Sequence, residues 1–130
     1  MQDAVIVSGV RTPIGRFGGA FKDVSASELG SLAIKAALEQ ANIRPDQVDE
    51  VVLGNALQTA EAGYAARLAS LGAGIPAEVP TIAINRQCSS GLEAINMAAL
   101  MVKTGEVEIA VAGGIENMSQ SPYLIGYKAR

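Results

Sequence analysis

The chain has 130 residues, of which 49% are apolar, 18% charged and only 4% aromatic, with a formal net charge of -3. Its ten basic residues are scattered, which excludes the electrostatic footprint of a nucleic-acid binder, and no apolar run reaches the length of a membrane span. One cysteine and no histidine rule out an internal disulfide and a Cys/His metal centre.

That length and a mean hydropathy of +0.27 suit a single domain. With no Trp and 14 glycines, the core has to be built from small aliphatic side chains, which favours α/β layers. The start, Met1-Gln2-Asp3, leads almost directly into an apolar run and shows no cleavable signal pattern. Together with the lone thiol, this points to the cytoplasm.

In chain order, a first strand is expected from Ala4 to Ser8, followed by a glycine-rich loop, Arg11 to Gly19. The loop lacks dinucleotide-binding spacing and does not open into a helix, so it reads as a surface loop with tight turns and two exposed arginines. Ser25 and Glu28 have capping-box spacing at the head of a first helix, with Leu29, Leu32, Ala33 and Ala36 as its buried stripe. Asn42-Ile43-Arg44-Pro45 stops that helix. A second strand runs from Val51 to Asn55, and a short helix from Tyr64 to Leu71 ends at Gly72. A third strand covers Thr81 to Asn85.

The third helix starts where Ser90 and Glu93 again have capping-box spacing, and Gly105 closes it. Between them, Ala94, Ile95, Met97, Ala98, Ala99, Leu100, Met101 and Val102 leave almost no polar face. A helix of this kind requires cover on all sides, so it reads as the middle of a larger sandwich completed by another domain. A fourth strand from Ile109 to Gly113 follows. The alternation predicts an α/β fold, a mostly parallel sheet with helices on both faces. Residues 1–118 form the domain; from Ser119 the pattern is lost, and 119–130 reads as a linker or the start of a loop region.

Cys88 lies between the third strand and the third helix, where a nucleophile is accessible and a helix N-terminus favours negative charge. Backbone N–H groups there suit an oxyanion, and Gly91 lets a substrate approach the backbone. A free cysteine is also commonly a small buried hydrophobe, and spacing leaves both readings open. After the fourth strand, Gly113 and Gly114 permit close backbone contact, and Glu116 and Asn117 are either polar site groups or part of a solvated crossing.

Four ordered segments resemble the thiolase family: Val10-Arg11-Thr12-Pro13-Ile14-Gly15, Leu53-Gly54-Asn55-Ala56-Leu57-Gln58, Asn85-Arg86-Gln87-Cys88-Ser89-Ser90-Gly91, and Ala112-Gly113-Gly114-Ile115-Glu116-Asn117-Met118-Ser119. The third is similar to the family's nucleophile motif and the fourth to its G-G-x-E-x-M-S strand end. The resemblance implies the N-terminal part of a five-layer αβαβα fold, with the helix after the nucleophile buried between sheets. It implies acyl transfer between a 3-ketoacyl-CoA and coenzyme A, or the reverse Claisen condensation. Cys88 would carry the acyl group as a thioester, its own backbone N–H entering the oxyanion hole. Coenzyme A is then a substrate, with no further cofactor and no metal expected.

The family's histidine base and second cysteine come from a C-terminal half, which this chain would need in cis or in trans; its last N-terminal-half strand and its coenzyme A loop are also not found here. The resemblance further implies a homo-oligomer formed through the N-terminal domain, with acyl-CoA as ligand and neither nucleic acid nor membrane as partner. By itself the chain is expected to be inactive. Around Glu61-Ala62-Gly63-Tyr64-Ala65-Ala66-Arg67 the sequence looks more like 3-ketoacyl-CoA thiolases of broad chain length than acetoacetyl-CoA thiolases. Two alternatives stand beside this reading. One is a non-catalytic dimerising subunit or interaction module with the same fold, motivated by the missing histidine. The other is a related condensing enzyme acting on acyl carrier protein, which the Arg-Thr-Pro and G-G-x-E-x-M-S features disfavour.

Overall fold

The computed structural model describes residues 2–58, 61 and 64–127. Ala62 and Gly63 before the short helix, and 128–130 of the expected linker, lie outside the described residues. The elements follow in the order α1 (Ala26–Ala41), β1 (Glu50–Gly54), α2 (Ala65–Gly72), β2 (Thr81–Ile84), α3 (Ser90–Thr104) and β3 (Ala110–Gly114). The strands form one parallel sheet in the order β2-β1-β3. As the alternation predicts, helices cover both faces.

The central strand explains the layering. Every residue of β1 is buried, and its side chains alternate between two cores. Val51 and Leu53 face α1 and α2 with Ile34, Leu38, Ala66 and Ala69. Val52 faces α3 with Ala94 and Ala98. A continuous apolar strand of this kind belongs in the middle of a sheet covered on both sides.

The capping box of α1 forms as expected: Ser25 Oγ accepts from Glu28 N, and Glu28 Oε2 accepts from Ser25 N at 2.9 Å. The buried stripe differs. It is Gly30, Ile34 and Leu38, whereas Leu32 is 59% exposed. Contact with α2 decides this, because a Cβ on Gly30 would lie 2.7 Å from Ile115 Cγ2 and 2.9 Å from Ala69 Cβ. The close approach rotates the glycine, not the leucines, into the interface. Ser31 Oγ then donates to Ala69 O at 3.0 Å across it.

Three further expectations are corrected. Ala4 to Ser8 is not a strand; it has no sheet partner among the described residues, and Val5 and Ile6 are 77% and 82% exposed. Its ties lie at its ends, where Gln2 N donates to Lys103 O and Ser8 Oγ to Ala37 O. A strand exists through its pairing, and residue preference alone does not supply it. Gly72 does not terminate α2 by a left-handed turn. It is the last helical residue, packed against Ser31, and the left-handed position falls at Gly74 (φ 87°). Finally, α3 begins one residue earlier than its capping-box spacing suggests, with Ser89 as N-cap, so Ser90 and Glu93 do not form a box.

Within this chain α3 buries only Ser90, Ala94 and Ala98 fully, while Leu92 and Leu100 on its far side are 64% and 58% exposed. The helix is therefore not covered all round by these residues: the sheet occupies one flank and no described element occupies the other.

Candidate active site

All three parallel strands point the same way, so their carboxyl ends deliver three loops to one edge of the sheet. Ligand sites of open α/β sheets lie at this edge. The loops are 55–57 after β1, 85–89 after β2 and 115–117 after β3.

The loop after β2 carries Cys88, which is exposed. Side chains and backbone of the turn fold it tightly. Arg86 N donates to Ser90 Oγ at 2.8 Å, and Ser90 Oγ donates to Gln87 O at 2.6 Å. The N–H groups of Ser89 and Ser90 are spent on Arg86 O and Gln87 O. The Cys88 N–H, in contrast, reaches no acceptor among the described residues. Gln87 adopts φ 52°, a left-handed conformation that costs a non-glycine residue about 1 kcal/mol or more. Arg86 Nη1 pairs with Glu93 Oε2 at 2.8 Å across the first turn of α3.

Small residues set how closely this turn approaches the sheet. A Cβ on Gly54 would fall 2.5 Å from Gly91 N and 2.6 Å from Ser90 O. A Cβ on Gly114 would meet Gly91 Cα at 3.3 Å. The start of α3 therefore rests directly on the backbone of β1 and β3, and Gly54, Gly91 and Gly114 together fix its depth.

The polar groups of the other two loops lock onto each other. Asn55 is 3% exposed, and its Nδ2 donates to Ile115 O and to Glu116 Oε1 at 3.2 and 3.0 Å. Glu116 Oε2 accepts from the N–H groups of Ala56 and Leu57 at 2.9 and 3.1 Å. Asn85 joins the Cys88 turn to this unit: its Nδ2 donates to Ala56 O, and its Oδ1 accepts from Gln87 N, both at 3.0 Å.

Of the residues singled out in the sequence, Cys88, Gly91, Gly114 and Glu116 gather at this edge. Gly113 stays within β3, where an added Cβ would meet Leu53 Cδ2 at 3.8 Å. Asn117 turns away: its Nδ2 donates to Phe21 O and Val24 O at 2.7 and 2.6 Å, and so ties down the turns between the glycine-rich loop and α1. That loop is largely exposed, with Arg11 and Arg16 at the surface as expected and a turn at its end, where Gly19 N donates to Arg16 O. At the start of the tail, Ser119 Oγ accepts from Gly18 N and Gln120 Nε2 donates to Lys22 O. Arg67 supports the site from behind, donating to the carbonyls of Ala77 and Val79 on the approach to β2.

Sequence reasoning did not give Asn55 and Asn85 their bracing roles. The available signal is the position of each, one residue past the end of a parallel strand, where a carboxamide can serve two loops at once.

The sheet edge, the exposed thiol and the glycine-lined helix start define an α/β protein with a candidate nucleophile at the carboxyl ends of a parallel sheet. The chain belongs to the thiolase family: the pattern described as "Thiolase, N-terminal domain" matches residues 4–130. It is 48% identical over 125 residues to the acetyl-CoA acetyltransferase of Cupriavidus necator, covering 96% of this chain and 32% of that protein. A probable acetyl-CoA acyltransferase of Staphylococcus aureus is 45% identical over the same length, also at 96% and 32% coverage. Among solved structures, a thiolase from Ascaris suum in complex with coenzyme A matches with a TM-score of 0.94 at 33% identity, over 97% of this chain and 33% of that one. The chain thus spans about a third of the length of these relatives, and its fold is that of the corresponding part of a thiolase.

Proposed function

We propose that this chain is the nucleophile-bearing domain of a thiolase-type acyltransferase, with Cys88 as acyl carrier. The observation that carries the reading is the exposed Cys88 whose backbone N–H is left unspent by a turn that uses the N–H groups on either side of α3's start. In the degradative direction, the Cys88 sulfur attacks the 3-keto carbonyl of a 3-ketoacyl-CoA. The Cys88 N–H lies on the same residue and donates to the oxygen as it gains charge. The bond between the second and third acyl carbons breaks, and its electron pair leaves with acetyl-CoA, which takes up a proton. The acyl group stays on sulfur as a thioester until the thiol of coenzyme A displaces it. Claisen condensation is the same sequence reversed.

Coenzyme A is a substrate in this scheme, and the scheme needs no metal or resident cofactor. With no histidine in the 130 residues, the base that activates the thiol comes from residues beyond them, in cis or in trans. Residues 1–118 then form the catalytic N-terminal domain, 119–130 lead toward the coenzyme A region, and association occurs through this domain. The cytoplasm and fatty acid metabolism are the setting in which such an enzyme would work.

The test is intact-mass analysis of the protein as its gene encodes it after exposure to acetyl-CoA. The wild type should gain one acetyl group and Cys88→Ala none; an adduct that persists in the variant overturns the assignment. The 130 residues alone should turn over a 3-ketoacyl-CoA at least about 100-fold more slowly, for want of general-base catalysis.

A further inference from the structure

The hydrogen bonds of the three loops run in series toward the nucleophile. Glu116 grips Asn55 with one carboxylate oxygen and the consecutive N–H groups of Ala56 and Leu57 with the other. The carbonyl of Ala56 is thereby fixed in place, and it accepts from Asn85 Nδ2. Asn85 spends its remaining polar atom on Gln87 N, at the residue with the left-handed φ of 52° immediately before Cys88.

Each of these contacts has a definite direction. A carboxylate is acceptor-only, so it can satisfy three donors at once, and charge assistance makes those bonds strong. A carboxamide has one donor end and one acceptor end, so Asn85 can link a carbonyl in one loop to an N–H in another without ambiguity. Gln87 has no glycine's freedom, and a strained conformation persists only where its surroundings enforce it.

We propose that Glu116 is a positioning residue for Cys88, acting through the Ala56 carbonyl and the Asn85 carboxamide to hold Gln87 left-handed and so aim the Cys88 thiol and its free N–H at the same point. This rests on the proposed role of Cys88 as acyl carrier and adds to it a device that sets the nucleophile's angle. Glu116 does not touch the acyl group; it shapes the turn that does.

The test uses Glu116→Ala, Asn85→Ala, Glu116→Gln and the Glu116→Ala/Asn85→Ala double variant in the protein as its gene encodes it. The first readout is hydrogen exchange at the Gln87 amide. That amide should be protected in the wild type and exchange at least about tenfold faster in both alanine variants, with protection of β1 unchanged. The second is acylation of Cys88 by acetyl-CoA, whose maximal rate should fall by about 10–100-fold while half-saturation moves less than about threefold. Glu116→Gln keeps one oxygen for the Ala56 and Leu57 N–H groups and should recover most of the rate lost in Glu116→Ala.

Because the two residues act in series, the double variant should be no more than about threefold slower than the slower single variant. Multiplying effects would overturn the proposal, as would an unchanged Gln87 amide in Glu116→Ala. A protein whose Cys88 takes no acyl group at all would defeat the functional reading instead, and the exchange measurement would still decide the positioning role. Loss of β1 protection in Glu116→Ala would identify Glu116 as a support of the whole sheet and overturn the specific role.

Discussion

Glu50 heads the central strand with 5% of its surface exposed, and its Oε1 has no hydrogen-bond partner among the described residues. Burial first, and the nearby charge of Glu106 second, push its pKa above the ordinary 4.5. The folded protein therefore holds this proton more tightly than the unfolded chain does. Below pH 4.5 both states are protonated and the site costs nothing extra. As pH rises through the raised native value the buried charge becomes a penalty. Glu50→Gln should accordingly stabilise the protein at pH 7 by on the order of 1 kcal/mol, and the gain should vanish in acid below pH 4.5. Urea denaturation of both proteins at the two pH values measures this; a gain that persists undiminished in acid would refute it. Glu28 shows the opposite environment, its pKa lowered by hydrogen bonds from the Ser25 backbone and side chain at a helix start.

At the scale of elements, the helices were legible in their ends and less so in their faces. Ser25 with Glu28, Asn42 at φ 54° and Gly105 at φ 76° behave as the sequence suggests, because a cap is a local hydrogen-bonding problem. Which stripe of α1 is buried is not local. Leu29, Leu32, Ala33 and Ala36 are the more apolar choice, yet Gly30 is the position where α2 and Ile115 can approach. Leu38→Ala should therefore cost about 2–5 kcal/mol in chemical denaturation. Leu32→Ala, on the exposed side, should cost under about 0.5 kcal/mol. Equal costs would mean that the helix presents a different face. The start of α3 makes the same point: Ser90 has a capping residue's chemistry but turns its hydroxyl back into the Cys88 turn, where two backbone groups need it.

For the whole molecule, the unpaired segment from Ala4 to Ser8 and the open flank of α3 have a common origin. Each has the composition of buried structure, and the described residues provide neither a neighbouring strand nor a covering layer. In a preparation of these 130 residues, the amides of Val5, Ile6 and Val7 should exchange with solvent within seconds, whereas those of Val51, Val52 and Leu53 should be protected for at least about a thousandfold longer. Comparable protection of the two sets would show that the first segment is paired after all.

By itself, the sequence determined the alternation of strands and helices, the parallel sheet with cover on both faces, most helix ends, and the strand-to-helix junction that holds Cys88. These follow from apolar runs, capping chemistry and the conformational limits of glycine, all of which act over a few residues. Only the tertiary structure decided that Cys88 is exposed, that Ala4 to Ser8 has no strand partner among the described residues, that Gly30 faces α2, and that Glu116, Asn55 and Asn85 join three loops behind the nucleophile. Those outcomes depend on which carbonyl or side chain from a distant part of the chain arrives within hydrogen-bond reach. The register of three parallel strands sets that distance, and no local pattern encodes it.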